Sequence, residues 1–229
     1  MIKNFFRTEY AKLREMTFTE KRQYIWEYYK LHMFGFLIVA FLVGSLLNAW
    51  IFNPRPRDYL YIVWMGERVS VDQLSMLSEH LRVIVDEPER ETVTVASYAI
   101  TGDLQIDSAL RTRFIALFQV GSLDVFLSTR DGLLEDILPD GFIQPVTEIM
   151  YVLSNINPTL YALLSERLLT VTFFEGIEGL EYEDFGAISM AGSPLLESAG
   201  IDTNDLYLSV VITSANHNRI ARALEVFFA

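Results

Sequence analysis

The sequence predicts an α/β protein: a single transmembrane helix followed by a mainly parallel, doubly wound sheet. Three observations carry this. Residues 33–52, MFGFLIVAFLVGSLLNAWIF, run for 20 positions without a charge. Asn-Pro-Arg-Pro-Arg then breaks the helix, because proline lacks a donor and restricts the residue before it. Beyond the break, apolar runs of strand length alternate with segments of helical spacing, the pattern of a sheet covered on both faces.

The N-terminal part, residues 1–32, is basic and aromatic. Thr17-Phe18-Thr19-Glu20 matches a capping box, and helix-compatible residues continue from it to Phe52. Residues 1–16, with Phe5, Phe6, Tyr10, Leu13 and Met16, read either as a short amphipathic helix or as a frayed tail. Residues 33–52 as a helix span about 30 Å, the thickness of a bilayer's hydrocarbon core. The block is longer than a signal-peptide core, 32 residues precede it, and no small-x-small site follows, so an uncleaved anchor is expected. Seven basic residues lie before the span, and only Arg55 and Arg57 follow closely. This asymmetry predicts a cytoplasmic N-terminus and an extracytoplasmic C-terminal domain at the cell membrane. Tyr24, Trp26, Tyr28 and Tyr29 suit the inner interface, and Trp50 the outer one.

Residues 53–58 read as a stiff linker, and residues 59–229 as the extracytoplasmic α/β domain. Tyr59–Met65 (YLYIVWM) is the first strand, closed by Gly66. Ser70-Val71-Asp72-Gln73 is a capping box, and Val71, Leu74, Leu77, Leu81 and Ile84 follow at helical spacing. Thr92–Tyr98 is β-branched and strand-like. Ile106, Leu110, Phe114, Leu117 and Phe118 trace a second helical face, and Leu123–Leu127 is the third strand. Helices are expected over Pro145–Ser154 and Thr159–Glu166, and a strand over Leu168–Phe174. Glu178–Asp184 reads as an acidic loop and Phe185–Met190 as a short strand. Leu206–Thr213 is a last strand before a helix that turns Ile220, Leu224 and Phe227 inward.

Charge and cysteine content narrow the function. Residues 33–229 carry 11 basic side chains, all arginine, against 26 acidic ones. Such a domain is a poor match for nucleic acid or for lying flat on anionic lipid. There is no cysteine and hence no disulfide framework.

Three further segments carry a resemblance. LDVFLST, GFIQPV and LYLSVVITSANHNRIARALEVF occur in an order and spacing similar to the third strand, the hydrophobic-Pro segment and the late strand-turn-helix return of class II extracellular solute-binding proteins. The aromatic YIWEYYKLH ahead of a single span resembles a recurrent Gram-positive membrane-protein type. The likeness implies an ectodomain similar to one lobe of a type 2 periplasmic binding protein. Only about 60 residues separate Pro145 from Leu206, too few for a second lobe. Hinge closure on a ligand therefore needs a wall from elsewhere.

In open α/β sheets, ligands favour the crevice beyond the carboxyl ends of the strands. That places candidate ligand contacts at Gly66, Glu67, Tyr98, Ser128, Thr129 and Arg130. Ser128 and Thr129 read first as a helix cap and second as ligand contacts, and the two roles can coexist on adjacent residues. Catalytic patterns are lacking: the three histidines lie in separate elements, and no HExxH, GxSxG or P-loop occurs. Glu178, Glu181, Glu183 and Asp184 lack EF-hand spacing. No cofactor, metal or catalytic residue is assigned. The expected function is a non-catalytic, membrane-anchored binding protein for a small ligand or an envelope protein. The alternative is an accessory or scaffold subunit of a transport or secretion complex.

Overall fold

The computed structural model describes residue 14 and residues 16–52, 56–65, 69–98, 103–175 and 180–229. It divides into two units between residues 55 and 56. The first is built on helix α1, Phe18–Leu47, which passes into a π-helical turn at Asn48–Phe52. The capping box forms: the Thr17 backbone N–H and hydroxyl each donate to the Glu20 carboxylate at 2.8 Å. Those hydrogen bonds, the backbone one foremost, hold the Glu20 carboxyl below its ordinary pKa. Lys30–Ile51 is long and apolar enough to cross a membrane, and none of it is buried within the structure. The segment expected to be amphipathic lies outside the described residues except for Arg14 and Met16, as do residues 53–55 of the linker.

The second unit begins its first strand at Arg57, two residues earlier than expected. In order it contains β1 (Arg57–Met65), α2 (Val71–Leu81), β2 (Glu91–Tyr98), α3 (Leu104–Gln119) and β3 (Val125–Thr129). A short turn α4 (Arg130–Gly132), β4 (Ile143–Gln144), α5 (Thr147–Ile156) and α6 (Pro158–Ser165) follow. The chain ends with β5 (Leu168–Glu175), β6 (Leu180–Ser189), α7 (Pro194–Ser198), β7 (Leu206–Val211) and α8 (His217–Phe227). Among the described residues the strands form one seven-stranded sheet, ordered β2-β1-β3-β7-β6-β5 with β4 also beside β7.

The sheet is mixed, which corrects the expectation of a mainly parallel one. Only β1–β2 and β1–β3 are parallel; β3–β7, β4–β7, β5–β6 and β6–β7 are antiparallel. A buried strand shows the same continuous apolar run in either direction, so its sequence does not record its sense. The acidic loop is corrected too: residues 180–184 belong to β6, where Tyr182 pairs with Phe173 and stacks on it at 5.5 Å. Within the same hairpin, Gly186 admits Val171, whose Cγ2 would overlap a Cβ at that position.

Apolar layers cover both faces. On one, Leu60, Ile62 and Trp64 pack with Leu77 and Leu81 of α2, Ile149 and Leu153 of α5, and Ile220, Leu224 and Phe227 of α8. On the other, Tyr61, Val63 and Phe126 meet Phe114 of α3. Phe114 is the hub there, with ring centroids 5.9 Å from Tyr98, 5.9 Å from Phe126 and 5.4 Å from Phe142.

One buried carboxylate closes the unit. Asp124 Oδ2 accepts from the Tyr61 backbone N–H at 2.9 Å. Its Oδ1 accepts from the Ser214 hydroxyl at 2.6 Å and the Asn216 amide at 2.8 Å. Asn216, at the N-cap position of α8, therefore ties the last turn to the sheet. Asp124→Ala strands two buried donors and a half-buried one, and is expected to cost about 3–5 kcal/mol of stability, read from the urea midpoint of the full chain. A loss below about 1 kcal/mol contradicts the closure.

Candidate functional site

The path from β1 through α2 to β2 runs to one side of β1, and the path through α3 to β3 returns on the other. The order therefore reverses between β1 and β3. Such a switch point opens a crevice beyond the carboxyl ends of the two strands. The register aligns one row there: Tyr98 of β2 opposite Met65 of β1, Met65 opposite Ser128 of β3, and Ser128 opposite Tyr207 of β7. Sequence placed Tyr98 and Ser128 at a common edge, and the structure brings them into a common row. Gly66 and Glu67 lie outside the described residues.

The remaining expected contacts divide. β3 runs two residues further than anticipated, so Ser128 is inside the strand and fully buried. Its hydroxyl has no hydrogen-bond partner. Thr129 is the cap: its Oγ1 accepts from the Gly132 N–H at 3.2 Å. Gly132 also permits the close approach of this turn, since a Cβ there would lie 3.2 Å from Thr129 Oγ1 and 3.9 Å from Ser128 Cβ. Arg130 is exposed, and its backbone N–H reaches Asp205 Oδ2 at 3.4 Å. Thus Ser128 and Tyr98 face the interior, Thr129 is committed to the backbone, and Arg130 stands in solvent.

The face of the sheet that carries Ser128 holds three more hydroxyls of the same kind. Tyr61, Tyr98 and Ser209 are 3 %, 8 % and 0 % exposed, and none of their hydroxyls has a hydrogen-bond partner. Ser209 lies directly opposite Phe126, and Ser128 two residues beyond Phe126, so all three share a face. Elsewhere the buried polar side chains are satisfied: Ser193 donates to the Phe227 carbonyl at 2.6 Å, and Thr203 accepts from the Gly192 N–H at 3.0 Å. Burial first, and then the neighbouring Tyr61 hydroxyl, push the Tyr98 phenol well above its ordinary range. The two phenols act on each other electrostatically without closing a hydrogen bond of good geometry.

Sequence reasoning missed Tyr61 and Ser209. Both sit inside continuous apolar runs, where period-two parity assigns a face only after the register is known. Among the described residues the arrangement offers hydrogen-bond donors and acceptors. Neither buried serine has a base on its hydroxyl, and His80 Nδ1 is engaged by the Met76 carbonyl at 2.8 Å. Compared with known proteins, the chain matches no family model, no curated protein and no solved structure.

The raised Tyr98 pKa gives a pH dependence. The folded state favours the neutral phenol, so this contribution is complete below the ordinary tyrosine range, about pH 10, and is lost as pH rises above it. Thermal midpoints should fall more steeply above about pH 10 in the native chain than in Tyr98→Phe, and at neutral pH the variant should melt no lower than the native chain, since it loses only a buried hydroxyl. Parallel profiles contradict the burial of this hydroxyl.

Proposed function

We propose that the protein is a non-catalytic, single-span membrane protein whose extracytoplasmic α/β domain binds a small ligand or another envelope protein. The observation that carries this is a 22-residue apolar helix with no part of it buried, joined to a self-contained folded unit by only a few residues. An apolar surface of that extent is stable in lipid or against apolar protein, and costly in water. The charge asymmetry orients it: basic side chains ahead of the span favour the cytoplasmic side, and the acidic domain then lies outside. The resemblance to one solute-binding lobe supplies the binding role, and the switch-point crevice supplies a place for it.

An accessory role in a transport or secretion complex is the second reading. It draws on Trp26, more than half exposed beside the span, as a docking residue for a neighbouring membrane protein.

Protease added to intact cells should remove the acidic C-terminal portion and leave a membrane-bound basic fragment resistant to alkaline carbonate. Protection of the C-terminal portion until lysis, or release of the basic fragment by carbonate, contradicts the proposal.

A further inference from the structure

We propose that the hydroxyl-bearing face of the sheet, beneath α3, is a binding site for a small uncharged solute carrying both hydrogen-bond donors and acceptors. The assignment deepens the binding reading above and rests on the domain being a binding module rather than a spacer.

Each of four neighbouring strands contributes one buried hydroxyl to this face: Tyr98 from β2, Tyr61 from β1, Ser128 from β3 and Ser209 from β7. At the usual strand spacing they are spread over about 15 Å. None of the four closes a hydrogen bond of good geometry, the two phenols having only each other and the two serines no partner, whereas buried polar groups are paired almost everywhere in folded proteins. One orphan hydroxyl is an ordinary imperfection. Four on one face, with the buried hydroxyls of Ser193, Thr203 and Ser214 all paired, form a pattern with a cost that a bound partner would offset.

The chemistry of the partner follows from what surrounds them. A hydroxyl both donates and accepts, so the complement is a group able to do the same. Among the described residues the one buried carboxylate, Asp124, sits at the opposite end of β3 with its hydrogen bonds already made. An ion bound on this face would therefore lack a counter-charge, and burying it unpaired is prohibitive. Arg113 on α3 acts on Tyr98 only weakly and is itself exposed.

Access is through the cover. Of the residues of α3 only Phe114 is buried, while Leu104 and Ile106 at its start are 86 % and 51 % exposed. Phe114 and Phe118 hold the C-terminal half, Phe118 packing on Phe142 at 4.9 Å. The N-terminal half has far less to lose on lifting. A single lobe thereby obtains its second wall from its own helix rather than from a partner lobe.

The test uses the full-length chain in detergent micelles and the double variant Ser128→Ala/Ser209→Ala. Thermal midpoints are read alone and with acetamide, glycerol or myo-inositol at about 100 mM. Without solute the variant should melt higher than the native chain by about 2–4 °C or more, because two unpaired hydroxyls are gone. At least one solute should raise the native midpoint, leave the variant unmoved and slow hydrogen exchange over residues 104–113. A variant midpoint that falls or stays level, or a solute response equal in both proteins for all three solutes, overturns the site. The readout is independent of the membrane, so inverted topology leaves this inference standing, and a failed shift leaves the topology standing.

Discussion

The Asp124 carboxylate holds together segments that are remote in the chain. It receives Tyr61, 63 residues before it, and Ser214 and Asn216, 90 and 92 residues after it. Its own backbone completes the node: the Asp124 N–H donates to the Tyr61 carbonyl at 3.0 Å, and the Val211 N–H donates to the Asp124 carbonyl at 2.9 Å. A buried carboxylate is tolerated only when its oxygens are filled, and these are. The node stands where the parallel half of the sheet meets the antiparallel half, so it fixes the sense in which β7 returns. A second contact reinforces it nearby. Arg219 lies over the Tyr59 ring at 4.2 Å and donates to the Tyr59 carbonyl, while Arg222 reaches Asp86 at 3.2 Å. The Asp86 hydrogen bond is the main reason the Arg222 guanidinium holds its proton more tightly than usual.

How much was legible in the sequence depends on which physical signal each element leaves. Capping boxes at Thr17 and Ser70 fixed helix starts because their chemistry is local, and both form. Apolar runs gave the existence of the strands. They did not give strand sense, which is set by pairing partners far along the chain, so the antiparallel half went unread. Glu181 and Glu183 drew residues 178–184 into a loop reading, although alternation with Tyr182 is what an edge hairpin shows on its wet side. Of the candidate contacts, Tyr98 and Ser128 share one register row at the strand ends. Ser128 and Thr129 were weighed together as cap or contact, and a two-residue shift of the strand end separates them: Ser128 goes into the core and Thr129 onto the cap. Asp124 lies within LDVFLST, but its role depends on a turn 90 residues later that no local pattern reveals.

The two faces of the sheet differ in a way that bears on function. One is dry, with α2, α5, α6 and α8 packed against Leu60, Ile62 and Trp64. The other mixes aromatic rings with unpaired hydroxyls under α3, anchored mainly by Phe114, and under the π-helical turn Leu133–Ile137, whose Leu133 and Ile137 are buried in the same layer. Stability is concentrated on the first, which leaves the second free to hold polar groups that a purely structural layer would discard. Buried polar groups of this kind are retained where they do something other than stabilise the fold. The carboxyl ends of β1 and β3 and the underside of α3 adjoin the same row, Tyr98–Met65–Ser128.

Residues 56–229 close into a single cooperative unit without help from a partner. Native-state hydrogen exchange at the amides of Tyr61, Asp124 and Val211, the three backbone donors around the carboxylate node, tests this most directly. The three should exchange with one common opening free energy, equal to that of global unfolding. Exchange of Val211 through a much smaller opening, while Tyr61 stays protected, would mean that the C-terminal return is a separate piece and that the domain is incomplete alone.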